Sequence, residues 1–283
     1  MKLLRILLIF LFYPMVSYGQ TAFETPELIL VRTGDFITGS SRQEREYAYQ
    51  LDEKAYGHSV TRNSRWYENE PPPTHKMLNS YYISKTTVTN AQYAAFINDT
   101  SHPKPDVDEI TWKGYGLIHP YARVAKYLWE NKQPPAGREQ HPAVLVRYAD
   151  ALAFAKWLSQ KTSEKWRLPT EAEWEKAARG PTGNTYPWGN EYNPKLLNSH
   201  DLGPFETRPV GSYSLGASPY GVLDMAGQVY EWTSTPKGDN RHFVKGGSWD
   251  DKGCGVCRSA ARHTRPDTLK HILIGFRLVR EIE

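Results

Sequence analysis

Cysteine is nearly absent from this chain. Only Cys254 and Cys257 occur among 283 residues, which excludes a disulfide-rich mini-scaffold and any four-cysteine zinc site. A strong charge of one sign is also missing: 35 Lys and Arg against 31 Asp and Glu leave a net of +4. No basic run interleaves with stacking aromatics, so nucleic acid is not an expected partner. There is no P-loop, no G-x-G-x-x-G, no G-x-S-x-G and no His-Glu-x-x-His. None of the nine histidines stands two residues before an acid, so the local half of a two-histidine, one-carboxylate iron site is lacking. Short-period repeats and Gly/Ser linkers are absent too, so no domain boundary is marked.

What the chain does have is aromatic surface and turns. Aromatic residues make up 13%, with nine Trp and eighteen Tyr, and 21 Gly join 20 Pro. That composition suits a loop-rich globular domain rather than a helix bundle or a coiled coil. With 39% hydrophobic and 23% charged residues there is enough apolar material for a core.

Residues 1–20 read as a secretory signal. Lys2 and Arg5 open it, an apolar stretch runs from Ile6 to Val16, and small residues follow at Ser17, Gly19 and Ala22. The apolar stretch is short for a bilayer span; an uncleaved anchor helix is the alternative. No later segment approaches 18 apolar residues, so no stable membrane insertion is expected of the mature domain, residues 21–283.

Along that domain, Glu27 to Phe36 reads as a first strand with a turn near Gly34-Asp35. The polar, aromatic stretch from Ser40 to Pro73 reads as a long ordered loop lining a cleft. Tyr81 to Ile83 reads as a short strand. Thr89 and Gln92 form a capping box, opening a helix with Ala91, Ala94, Ala95 and Ile97 inward. A second helix is expected from Tyr148 to Lys161, with Ala151, Leu152, Ala155 and Leu158 on one face. Thr170 and Glu173 form another capping box, on a helix ending at Gly180. From Pro181 onward helical periodicity disappears and turn residues recur, and both halves are expected to share one core.

Five blocks carry a resemblance. They are Trp166-Arg167-Leu168-Pro169-Thr170-Glu171-Ala172-Glu173-Trp174-Glu175, Tyr186-Pro187-Trp188-Gly189-Asn190, Tyr220 to Trp232, Lys245-Gly246-Gly247-Ser248-Trp249, and Ile274-Gly275-Phe276-Arg277. In that order and spacing they resemble the formylglycine-generating-enzyme (sulfatase-modifying factor) superfamily. The resemblance implies one α+β domain of the C-type-lectin-like kind over roughly residues 26 to 280. It also implies structural Ca2+: one site from Asp224, the Gly227 and Val229 carbonyls and Glu231, a second from Asn198, the Ser199 carbonyl and Asp201. Oxygen-rich turns of this kind suit a hard cation; turn capping is the plainer role for the same acids.

The family's enzymes carry two copper-binding cysteines after the Gly-Gly-Ser block. Here Asp251 takes the first position, Cys254 falls on the second, and the loop is about two residues shorter. The copper pair is therefore not in its usual form. For Cys254 and Cys257 a structural disulfide, a redox pair and a Cu(I) site all stay open.

The stretch Glu44 to His58, with Thr61-Arg62 and Trp66-Tyr67-Glu68, resembles a periplasmic, siderophore-maturing branch of the same superfamily. That resemblance implies oxidation of a dihydropyoverdine chromophore, borne by a small peptidic siderophore precursor; for the oxidant, molecular oxygen with a metal and molecular oxygen acting directly on an easily oxidised substrate both stay open. Such chemistry needs aromatic walls, for which Trp66, Tyr67, Trp188, Tyr230 and Trp249 are candidates beside Ser248. It also needs acid/base groups, for which Asp250, Asp251, Arg262 and His263 are candidates with Cys254. Core packing for many of the aromatics, and salt bridges for the charged groups, compete with these roles. His119, His141, His200 and His271 read as hydrogen-bonded structural residues. Two other functions remain: a sulfatase-activating enzyme with an altered cysteine loop, and a non-catalytic lectin-like binding module.

Overall fold

The computed structural model describes residues 23–116 and 119–282, so the signal reading lies outside the described residues. The first strand is in fact two, β1 (Leu28–Val31) and β2 (Gly34–Thr38). The loop expected from Ser40 to Pro73 is instead largely helical: α1 (Arg42–Tyr56) and the single turn α2 (Val60–Asn63). Helix α1 starts on a capping box: the Glu44 N–H donates to Ser41 Oγ at 3.1 Å and the Ser41 N–H donates to Glu44 Oε2 at 2.7 Å. Only Ala48, Tyr49 and Asp52 of its fifteen residues are buried, too few for a 3.6-residue apolar stripe to show in the sequence.

Next come β3 (Thr74–Leu78), β4 (Tyr81–Ser84), α3 (Asn90–Thr100) and α4 (Glu109–Gly114). Helix α3 begins on the expected Thr89–Gln92 box. Its inward face is Asn90, Tyr93, Phe96 and Ile97, because the larger side chains win the interior and leave Ala91, Ala94 and Ala95 at its margin. Helix α5 (Tyr148–Thr162) buries Phe154 and Trp157 beside Ala151, Ala155 and Leu158, whereas Leu152 is 41% exposed. Strand β5 (Trp166–Arg167) leads to α6 (Glu171–Arg179), capped by Thr170 and Glu173 and stopped at Gly180. After Gly180 no α-helix follows among the described residues, only β6 (Tyr230–Pro236), β7 (Arg241–Lys245), β8 (His263–Pro266), β9 (Ile274–Gly275) and β10 (Val279–Arg280).

The strands form sheets ordered β1-β4-β10-β5, β2-β3 and β8-β7-β6-β9. One aromatic core joins both halves of the chain: Tyr93 stacks on Phe154 at 5.8 Å and Phe154 meets Phe276 edge-on at 5.5 Å. The α+β, loop-rich class read from composition is the class observed.

Two buried ion pairs tie the loops to this core. Arg277 forks onto Glu231, Nε to Oε2 at 2.6 Å and Nη2 to Oε1 at 2.7 Å, and both side chains are fully buried. Arg258 meets Glu70 in the same way, at 2.6 and 3.1 Å. Removing one partner of such a pair strands the other charge in the interior. Glu231→Gln is expected to lower unfolding free energy by about 3–5 kcal/mol in a urea titration; a loss below about 1 kcal/mol would show that the guanidinium finds other acceptors.

Candidate functional site

The site grows from the turn that follows β7. Gly247 sits at φ +72°, and a Cβ there would lie 2.6 Å from Cys257 Sγ, so only glycine lets the turn pack on the cysteine loop. Ser248 then ties down Asp251: its N–H and its hydroxyl both donate to Asp251 Oδ2 at 2.7 Å. Tyr230, at the start of β6, donates to Asp251 Oδ1 at 3.4 Å. Asp250 turns the other way and meets His119, Nε2 to Oδ2 at 2.8 Å.

Asp250 and His119 line a cavity of about 550 Å³. Its walls include Tyr115, Tyr230, Leu269, Leu273 and Arg265, an apolar lining with a few convergent polar groups, as ligand sites have. A cavity of about 620 Å³ lies across Tyr115, but Lys104, Asp106 and Lys270 there are engaged with one another.

Burial, with the charge of Asp250 adding to it, pushes the Asp251 carboxyl up to about 6. Burial and the positive field of Arg265 push both His263 and His271 down to about 3, so both rings are neutral at pH 7. The Leu273 N–H donates to His271 Nδ1 at 3.0 Å, which leaves the hydrogen of that ring on Nε2. The site thus holds one His–carboxylate pair, one carboxyl titrating near neutrality and two neutral imidazoles.

Of the candidates for catalysis, Asp250 lines the cavity and Asp251 stands behind Tyr230. His263 packs edge-on between Tyr230 at 5.8 Å and Trp66 at 5.6 Å, and its buried Nε2 has no hydrogen-bond partner. Arg262 does not join them: it reaches Glu171 at 3.0 Å and lies over Phe243. Side chains of an extended segment alternate, so Arg262 leaves on the face opposite His263 and Arg265. Cys254 is bonded to Cys257, with both residues fully buried.

The expected substrate-binding set is corrected at three positions, two aromatic walls and the serine beside them. Tyr67, Ser248 and Trp249 have no exposed surface. Tyr67 donates to Asp52 at 2.5 Å, and Trp249 packs on Phe205 and His119. Their bulk or their hydrogen bonds serve the core instead. Trp188 stacks on Tyr186 at 5.2 Å, outside the cavity lining, and Trp66 stays 38% exposed. Tyr230 alone of the named aromatics faces the cavity. His119, His271, Arg265 and Tyr115 complete the site without having been named for it. Nothing local in the sequence pairs His119 with an acid 131 residues away.

The cation sites divide. At the first, both Glu231 oxygens accept from Arg277 and one also from Trp174 Nε1 at 2.7 Å. Both Glu231 oxygens are therefore engaged, and the guanidinium already balances the charge. Asp224 accepts the Gly211 N–H at 2.7 Å and is pushed up to about 6 by burial. With Gly227 and Val229, this donor set does not fit calcium. At the second, Asn198 Oδ1 is buried with no partner, which fits a cation ligand beside the Ser199 carbonyl. Asp201 is held by Tyr192 and by the Gly253 N–H. A disulfide offers no thiolate to Cu(I), so the cysteine loop as arranged does not fit copper.

A carboxyl at about 6 in the folded state, against 3.8 ordinarily, binds a proton that the unfolded chain releases between those values. Stability therefore falls as pH rises from 4 to 6 and levels off above. Asp251→Asn should flatten that fall by up to about 3 kcal/mol, read from urea midpoints at pH 4, 5, 6 and 7. An unchanged pH slope would place the Asp251 carboxyl in the ordinary range.

Comparison with known proteins agrees with this fold. Residues 15–282 match the Sulfatase-modifying factor enzyme 1-like domain. The chain is 31% identical over 223 residues to the formylglycine-generating enzyme of Mycobacterium tuberculosis, covering 61% of this chain and 69% of that enzyme. It is 30% identical over 253 residues to the hercynine oxygenase of Mycolicibacterium smegmatis, covering 76% of this chain and 56% of that protein. The structure of PvdO from Pseudomonas aeruginosa superposes with a TM-score of 0.70 at 25% identity, over 91% of this chain and 95% of that one. Oxidative enzymes among these relatives make oxidoreductase the class of this chain. The protein belongs to the sulfatase-modifying factor, or formylglycine-generating-enzyme, family.

Proposed function

We propose that this protein is an exported, periplasmic oxidase that takes a flat dihydro-aromatic ring into the cavity beside Asp250 and oxidises it, with the dihydropyoverdine chromophore of a small peptidic siderophore precursor as its substrate. The observation that carries the reading is the His119–Asp250 pair set at the edge of an apolar cavity of about 550 Å³. The resemblance to PvdO supports the choice of substrate, and the signal-like residues 1–20 support export.

The reaction removes two hydrogens from the ring. Two bonds to hydrogen break, one ring double bond forms, and two electrons and two protons leave. Dioxygen takes up both electrons and both protons and becomes hydrogen peroxide. The residues of the chain manage position and protons. Tyr230, Leu269 and Leu273 flank the ring and exclude water. The His119–Asp250 pair accepts the first proton. Asp251, poised near pH 6, balances charge behind Tyr230 through their hydrogen bond.

Sulfatase activation by a displaced cysteine draws no support from a site whose cysteines are buried and bonded together. A binding module remains the alternative that turnover decides. In air, the mature protein should accelerate appearance of the chromophore over a no-protein control. His119→Ala and Asp250→Asn should each lower kcat about 100- to 1,000-fold per folded molecule, a loss larger than any fall in the folded fraction. Absence of any protein-dependent acceleration would overturn the oxidase reading.

Calcium is proposed at Asn198 and Ser199 only. Chelation should lower Tm in wild type but leave Asn198→Ala unmoved, as read by calorimetry with and without EDTA. Equal shifts in both proteins would place the cation elsewhere, and no shift in either would remove it from the structure.

A further inference from the structure

The cavity contains one cation that no acid among the described residues neutralises. Arg265 lies on β8, on the same face as His263, and its guanidinium sits 5.6 Å from the Tyr230 ring centre. Among the described residues its side chain makes a single hydrogen bond, Nη1 to the neighbouring Thr264 carbonyl at 3.0 Å, and no salt bridge. The rest of its fork has no partner. Arg147, Arg167, Arg258 and Arg277 each meet a carboxylate within 3 Å, whereas the partly buried Arg45 and Arg123 rest on a carbonyl and on the Phe205 ring and line no such cavity.

The surroundings make that solitude costly. Pro266, Leu269, Leu273 and Ile274 share the wall with Arg265, and a charge beside apolar groups is poorly tolerated without a counter-charge. The one carboxylate in the lining, Asp250, is engaged by His119. The two histidines nearest to Arg265 in effect, His263 and His271, are neutral and cannot replace an anion. The missing partner is therefore one that enters from outside.

We propose that Arg265 is a specificity-determining residue that receives the carboxylate of an aromatic substrate, two N–H groups to two oxygens, with the ring lying along Leu269 and Leu273. A guanidinium fork matches a planar carboxylate in this way, and a neutral amide cannot replace it. An acid head held there brings the ring between Tyr230 and the His119–Asp250 pair. The inference rests on the oxidase reading for its reaction, but the recognition itself needs no turnover.

The test is a binding comparison by calorimetry with 3,4-dihydroxybenzoate and 3,4-dihydroxybenzamide, which differ at the head group alone. Wild type should bind the acid at least 10-fold more tightly than the amide. Arg265→Gln should erase the preference, and Arg265→Lys, which keeps the charge but not the fork, should retain part of it. Both variants should melt near wild type, since no ion pair of the chain is lost. Equal affinity for the two probes, no binding of the acid at millimolar concentration, or a preference that survives in Arg265→Gln would each overturn the assignment. Selective binding without oxidation would instead count against the oxidase reading alone, and oxidation without acid preference against Arg265 alone.

Discussion

The fold hangs on the fork between Arg277 and Glu231. Three elements converge there: Glu231 from β6, Trp174 of α6 bonding the same carboxylate, and Arg277 just before β10. Arg277 also donates to the Ser84 and Leu223 carbonyls, so one side chain satisfies backbone groups from two further segments. A loop-rich chain has many such groups and few regular ladders to pair them. A buried charge pair is an expensive way to do this, but it satisfies groups from several segments at one point. Calcium performs the same organising task with oxygen ligands elsewhere; at Glu231 the guanidinium does it.

The site inherits its asymmetry from strand alternation. On the segment entering β8, Arg262 faces the acids of α6, while His263 and Arg265 face Tyr230. The cysteine loop lies beneath this arrangement rather than within it. Gly255 donates its N–H to Asp52 of α1 at 3.0 Å, and Tyr186 donates its hydroxyl to the Cys254 carbonyl at 3.2 Å. The cysteines thus hold the floor of the site, and the groups that line its cavity are a carboxylate and imidazoles.

Much of this was legible in the residues. Capping boxes at Thr89 and Thr170 located two helices because the signal is local, four residues long and chemically specific. The five ordered blocks located the domain and the Asp250–Asp251 turn. Helix α1 was misread although Ser41 and Glu44 form the same kind of box, because aromatic and charged residues obscure its face. The burial of Tyr67 and Trp249 was not legible, since an aromatic side chain carries no mark of whether it faces a cleft or a core. Nor was the partnership of His119 with Asp250, which only the packed chain brings together. Arg265 was overlooked for the opposite reason: its meaning lies in a partner it does not have.

The order β1-β4-β10 has one more consequence. Strands β1 and β10 both pair antiparallel with β4, so they run parallel to each other. Leu30 and Arg280 both stand opposite Tyr82, and Ile29 and Val279 both stand opposite Ile83. Tension applied before β1 and after β10 would therefore pull the two strands in opposite directions along β4. The hydrogen bonds of both ladders would be loaded together in shear rather than unzipped one at a time, so this sheet is the mechanical clasp of the domain.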